Sequence, residues 1–385
     1  MTHLRAVVAI PARDEVERIG SCLQALAVQT GITAGGYGVL LFLNNCRDGT
    51  DRLVEALRPG LPFPLRVIRR DLAQATAGSA RRAAMEAAAS WLESEGEGEG
   101  VILTTDADSR VGPDWVGRCC DGIEAGADAV AGCIALDPAE AAALPDCLHA
   151  RGRLEGAYEA LLTEIAARLD PEPHDPWPRH ATESGATLAV RLSAYRQVGG
   201  LPPLALGEDR ALVAALQARD FRVRHDPGIV VETSGRLDGR APGGAADTMR
   251  LRCAAPDSPC DDRLEAVPRA LLRVALRRRL RRLHIEGRAG SIGRWAEAMG
   301  IRPDEAGRIA ALPCFGQVRA AFDAASPRLA ARPLRPHALA RHIALARTVL
   351  AGLRLVSRLR AAAGPAGIAP PVPDAAPAQT QPSTG

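Results

Sequence analysis

The chain has 385 residues, 47% of them hydrophobic and 24% charged, enough for a full core and for more than one structural unit. Aromatics make up only 3%, which argues against the stacking platforms of single-strand nucleic-acid binders. The net charge of +3 hides an asymmetry: residues 1–262 hold 38 acids against 27 arginines, residues 263–360 hold 21 arginines against 6 acids, and there is no lysine.

The nine cysteines form no CxxC pair and suit a reducing compartment. No apolar run approaches the roughly 18 residues of a spanning helix. The amino-terminal apolar run is too short for a signal peptide, so the expectation is a cytoplasmic protein.

In chain order, Ala6 to Ile10 predicts a buried strand, and Pro11-Ala12-Arg13-Asp14-Glu15 breaks it. Val16, Ile19, Leu23 and Leu26 then recur at helical spacing. Val39 to Leu43 is a second strand, ending in the polar turn Asn44 to Thr50 before a helix around Leu53 to Leu57. Leu65 to Ile68 is a third strand, Gly78 opens a long helix through Trp91, and Glu93 to Gly100 is an acidic loop. Val101-Ile102-Leu103 is the next strand, and Thr104-Thr105 leads from it to Asp106-Ala107-Asp108.

Strands alternating with amphipathic helices predict an α/β fold with a mostly parallel sheet, whose strand ends share one rim. Arg13, Glu15, Asn45, Asp48, Asp106 and Asp108 gather there. Two acids one residue apart at a strand's carboxyl end repel unless a cation or donor compensates. A divalent metal carrying a nucleotide diphosphate is the natural compensator, since hard cations prefer oxygen. GxGxxG is absent after the first strand, and a Walker A motif is excluded by the lack of lysine.

Asp114 to Glu124 predicts a helix, Ala127 to Ile134 a strand, and Cys147 to Leu169 a long helix. The Pro-rich loop Asp170 to His180 carries Trp177, with His174 and His180, as a binding wall or a packing plug. Thr187 to Val190 is a strand, Tyr195 to Gly200 a short helix and turn, and Glu208-Asp209 opens a helix through Ala218. Arg222 to His225 and Ile229 to Glu232 are short strands, and Ser234 to Ala245 is a Gly/Arg-rich loop in which Arg236 and Arg240 are placed to close over a diphosphate. From Pro268 the pattern changes. Leu272, Leu276, Leu280 and Leu283 mark one helical face, and Arg273, Arg277, Arg278, Arg281 and Arg282 the other; Leu339, Ile343, Leu350 and Leu353 repeat the theme with Arg347, Arg354 and Arg358. Such basic faces either pack on the acidic part of the chain or contact the inner face of a membrane as a peripheral partner. Ala363 to Gly385 is a Pro/Ala-rich tail expected to be disordered.

Five pieces in order make residues 7–232 resemble a family 2 glycosyltransferase with the GT-A fold: Ile10 to Glu15, Asn44 to Thr50, Gly78 to Ala83, Thr105 to Asp108, and Ser184 to Thr187 with Arg191, Tyr195, Gly199-Gly200 and Gly207-Glu208-Asp209. The resemblance implies a Rossmann-like sheet flanked by helices in a catalytic domain over residues 1–245, an Arg-rich helical region over 246–362 and the tail over 363–385. It implies an inverting, metal-dependent transfer of a sugar from a nucleotide-diphosphate donor to an acceptor hydroxyl. By the same resemblance Asp108 and Asp106 ligate Mg²⁺ or Mn²⁺. Pro11, Arg13, Glu15, Asn45, Asp48, Arg81 and Asp106 border the donor, with Asp106 beside the ribose or sharing the metal. Asp209 is the general base, and Glu208 orients the acceptor or supports Asp209. Asn44-Asn45 stands where the family usually has acids, and Val231 to Ser234 where it often supplies a histidine ligand, with Glu232 or water as the substitute. The readings from other classes are a sugar-phosphate nucleotidyltransferase and a non-catalytic nucleotide-sugar-binding module. The sugar, base and acceptor are not specified by the sequence.

Overall fold

The computed structural model describes residues 4–239 and 243–362. Arg240 and the tail from Ala363 onward lie outside the described residues.

Three strand–helix units build the first half: β1 (Ala6–Ala12) with α1 (Ile19–Ala27), β2 (Tyr37–Asn44) with α2 (Thr50–Leu57), and β3 (Leu65–Arg70) with α3 (Ala77–Ser94). β4 (Val101–Thr104), β5 (Arg110–Val111), α4 (Trp115–Glu124), β6 (Ala129–Leu136), α5 (Pro138–Ala142) and α6 (Asp146–Leu169) follow. β7 (Leu188–Arg191), α7 (Leu192–Gln197), α8 (Glu208–Ala218) and β8 (Val223–Thr233) complete an eight-stranded sheet of order β3-β2-β1-β4-β7-β6-β8-β5. β3, β2, β1 and β4 run parallel, β7 is antiparallel to β4 and β6, and β8 is parallel to β6. The expected α/β sheet is present, with antiparallel β7 and the edge strand β5 added to its parallel half.

Residues along β1 alternate between two cores. Ala6, Val8, Ile10 and Ala12 join the cluster built on α1 and α4, while Val7 and Ala9 join the one built on α3 and α8. A strand buried on both faces has no polar side to alternate with, so it appears in the sequence as a continuous apolar run. The two short strands expected around residues 222–232 are one strand, β8, because a register shift between Ala131 and Cys133 on β6 absorbs the intervening Asp226-Pro227-Gly228.

The carboxyl-terminal part is helical: α9 (Ala245–Ala254), α10 (Val267–Ile285), α11 (Ala289–Ala298), α12 (Pro303–Ala310), α13 (Phe315–Ala325) and α14 (Pro336–Ala362). Leu276, Leu280 and Leu283 of α10 pack on α11, α12 and α13, whereas Leu272 is exposed. Leu339, Ile343 and Leu350 of α14 pack with Tyr158 and Ile165 of α6. The basic faces meet acids: Arg277 and Arg281 both bind Asp170, Arg273 binds Glu265, and Arg354 binds Glu164. These arginines pack on the chain itself. Asp220, at the end of α8, accepts the backbone N–H groups of Phe315 and Gly316 and so ties α13 to the helix that begins at Glu208. Among the described residues no helix is long and apolar enough to cross a membrane.

Candidate functional site

The carboxyl ends of β1, β2 and β4 form one rim, and α3 presents its first turns to it. Thr76 caps α3 by accepting the Ser79 N–H, while the Ser79 hydroxyl accepts the Thr76 N–H. Gly78 is required here: a Cβ would stand 2.0 Å from the Leu204 carbonyl oxygen. This close approach brings the segment before α8 against the start of α3.

Arg81, one turn into α3, is the node of the site. Its Nη2 donates to Asp106 Oδ1 at 2.6 Å and its Nε to Glu208 Oε1 at 2.9 Å. Its Nη1 donates to Thr104 Oγ1 and to the Gly185 carbonyl, each at 2.9 Å. Burial works against this guanidinium's charge, but Asp106 and Glu208 outweigh it and hold its proton more firmly than usual. A Cβ on Gly185 would run into the Arg81 guanidinium at 2.4 Å. The Gly185 N–H in turn donates to Asp209 Oδ2 at 2.8 Å. The backbone of one residue, Gly185, therefore joins Arg81 to Asp209. Gly207, at φ 75°, turns the chain so that α8 starts with the buried Glu208 and the half-buried Asp209.

Asp108 lies on the other flank. Desolvation, and then repulsion from Asp106, raise its pKa to about 6 despite Arg236. Arg236 Nη2 stands 3.0 Å from Asp108 Oδ2, and the same guanidinium donates to both oxygens of Glu15 at 3.1 and 2.5 Å. Glu15 is held from behind: its N–H donates to Thr50 Oγ1 at 2.9 Å. Asp48 accepts from Thr50 N–H, from Thr50 Oγ1 and from Val16 N–H. Burial is the largest influence on Asp48, yet these bonds together lower its pKa. Asp48 thus ties the second-strand turn to the segment that carries Glu15.

The remaining expected residues sit on the same rim. Arg13 is exposed and donates to the Ala75 carbonyl, and Pro11 pairs in register with Phe42 at the end of β1. Asn45, at φ 54°, exchanges hydrogen bonds with the Leu72 backbone. Asn44 is buried, and its Oδ1 has no hydrogen-bond partner among the described residues. Glu232 is bound to Arg110 and His225 to Asp175, so the side chain that reaches Asp108 from beyond the last strand is Arg236.

Residues 7–163 match the family model described as glycosyl transferase family 2. That segment contains β1, β2, the start of α3 and both acids after β4. The match supports a glycosyltransferase, and the matched segment ends before Gly185, Glu208 and Asp209, which geometry alone joins to it. Among solved structures, S. aureus TarS 1–349 in complex with UDP is similar at 16% identity and a TM-score of 0.45, covering 91% of each chain. The mannosyltransferase PcManGT from Pyrobaculum calidifontis in complex with GDP-Man and Mn²⁺ is similar at 15% identity and a TM-score of 0.42, covering 83% of this chain and 85% of that one. No curated protein matches the chain.

Asp106 and Asp108 of the matched segment are hard oxygen donors, and burial, with repulsion from Asp106, raises the proton affinity of Asp108. The pair therefore fits a divalent cation chemically. Among the described residues, no group of three or more His, Cys, Asp or Glu is placed to hold a metal ion, so the protein offers two carboxylates and no fuller cage.

A separate cavity of about 880 Å³ lies between α6, the Pro-rich loop and the carboxyl-terminal helices. His174, His180, Glu183, His225, Arg277 and Arg319 are among its lining residues; Trp177, 40% exposed, is not. None of Asp106, Asp108, Glu208 and Asp209 lines it.

Two residues of this site, Thr104 and Glu140, carry little sequence signal. Yet Glu140 organises the segment after β8 by accepting from Ser234 Oγ, Gly235 N–H and Arg18.

Proposed function

We propose that the chain transfers a sugar from a nucleotide-diphosphate donor to an acceptor hydroxyl, by one displacement that inverts the anomeric carbon. The observation that carries this reading is the Arg81 node, which couples the acidic pair after β4 to the start of α8 through Asp106, Gly185 and Glu208. Asp209 is the general base, since its carboxylate is oriented by the Gly185 N–H and lies one residue from Glu208. Glu208 is paired with Arg81 and acts by positioning. Glu15, Arg13, Pro11, Asn45 and Asp48 line or support the nucleoside side. Arg81 fixes the direction of Asp106. A Mg²⁺ or Mn²⁺ ion held by Asp106 and Asp108 would supply neutralisation of the departing diphosphate.

PcManGT is in complex with GDP-Man and Mn²⁺, and TarS is in complex with UDP and with UDP-GlcNAc. These define the first donors to try. A thermal-shift screen of nucleotide sugars with and without Mn²⁺ tests the reading, because a ligand that binds only the folded form raises its melting temperature. The expected result is a shift with one donor that Mn²⁺ enlarges, followed by nucleotide-diphosphate release and an inverted product seen by NMR. Pyrophosphate formation from a nucleoside triphosphate, or donor binding without transfer to any acceptor, would overturn it.

A further inference from the structure

Arg236 follows the last strand, yet its guanidinium is shared by two carboxylates from the amino-terminal half, Glu15 and Asp108. The three side chains are enclosed, at 19%, 7% and 17% exposure, so their attraction is screened less than on an open surface. The backbone beside Arg236 is anchored separately, by Ser234 Oγ and Gly235 N–H on Glu140. The guanidinium can therefore leave its acids without loss of that anchor. Among the described residues, the four carboxylates Glu15, Asp106, Asp108 and Glu208 form ion pairs with two guanidiniums, Arg81 and Arg236. Asp108 thus already has a resident cation.

We propose that Arg236 is a built-in competitor of the divalent cation for Asp108. The inference rests on the cation of the preceding reading but concerns this side chain. A guanidinium at 3.0 Å and a metal ion cannot both sit on one carboxylate without strong mutual repulsion. Cation binding therefore displaces the guanidinium toward Glu15, where it is left short of negative charge, and a donor diphosphate is the anion that satisfies it. Cation and donor then favour each other's binding, and the cation alone binds weakly.

The test is Mn²⁺ affinity by EPR titration of the full chain without nucleotide, comparing wild type, Arg236→Ala, Arg236→Lys and Arg18→Ala. Arg18 also carries positive charge near Asp108, but its partner is Glu140, so it controls for a general field effect. Arg236→Ala is expected to bind Mn²⁺ about fivefold or more tightly than wild type, the lower end of ordinary coupling between sites. Arg236→Lys should fall between, because a single ammonium cannot bridge two carboxylates as the guanidinium fork does. The same Arg236→Ala protein should lose most of the gain in Mn²⁺ affinity that nucleotide diphosphate gives the wild type. Equal affinities in all four proteins, or a gain in Arg18→Ala as large as in Arg236→Ala, would overturn the proposal. So would the absence of Mn²⁺ binding from every variant while wild type still turns over a nucleotide sugar, a result that leaves the transferase reading standing.

Discussion

Arg81 and Glu208 are 127 residues apart in the chain and 2.9 Å apart in the fold, and the side chains of both are less than a tenth exposed. Removal of one partner of such a pair leaves the other buried and uncompensated, which costs about 3–5 kcal/mol. Arg81→Ala strands Glu208 and deprives Asp106 as well. Its melting temperature should fall sharply, and Arg81→Lys should recover only part of the loss. Thermal unfolding of the three proteins checks this; an unchanged melting point for Arg81→Ala would show that the node is not structural.

Gly78→Ala places a methyl group 2.0 Å from the Leu204 carbonyl oxygen, where backbone must move. The expected cost is about 1–3 kcal/mol, with a loss of nucleotide-diphosphate release because the segment leading into Glu208 shifts. Gly152→Ala, in α6 with nothing within 4 Å, is the matched control and should gain up to about 1 kcal/mol.

Asp209→Asn keeps an oxygen to accept the Gly185 N–H and removes the base. Turnover should fall about 10²- to 10⁴-fold with donor affinity little changed. Asp108→Asn or a chelator should abolish Mn²⁺-dependent stabilisation by the donor. Steady-state release of nucleotide diphosphate and donor thermal shifts separate the two effects; full activity of Asp209→Asn would remove it from the mechanism.

His180 and His225 meet edge to face at 5.5 Å, and their proton affinities diverge. Burial, and then the neighbouring His225, lower the His180 pKa to about 4. Burial also opposes the charge on His225, but the hydrogen bond with Asp175 and the nearby Glu183 carboxylate outweigh it and raise the pKa to about 9. The contribution of His225 to stability is full below its unfolded value near 6.5 and is lost as pH rises through 9. That of His180 is present above 6.5 and is lost as pH falls through 4. Imidazole NMR titration should therefore show one ring charged and the other neutral at pH 7. Asp175→Asn should bring the His225 titration down toward neutrality, and two ordinary titrations near 6.5 in the wild type would contradict the arrangement.

The sequence determined what is local or periodic. The apolar runs at Val7, Val39 and Val101, the helical spacing after them, and the placement of Asp106 and Asp108 just past a strand all depend on neighbours a few residues away. A parallel sheet then brings its strand ends to one rim whatever the remaining details. Even in the carboxyl-terminal region, where Leu276, Leu280 and Leu283 mark a buried face, the helix was legible, while its partner was not.

Only the tertiary structure decided which charges meet. Asp170 could have faced solvent, and nothing along the chain directs Arg277 and Arg281 to it. Glu15 and Arg236 are separated by 221 residues, and no spacing rule reaches that far. Backbone preferences and hydrophobic periodicity act over one or two turns or a strand, whereas an ion pair depends on where whole elements dock. The Glu15–Arg236–Asp108 contact follows from the path of the chain after β8 and its anchor on Glu140, and no short window of residues contains that information.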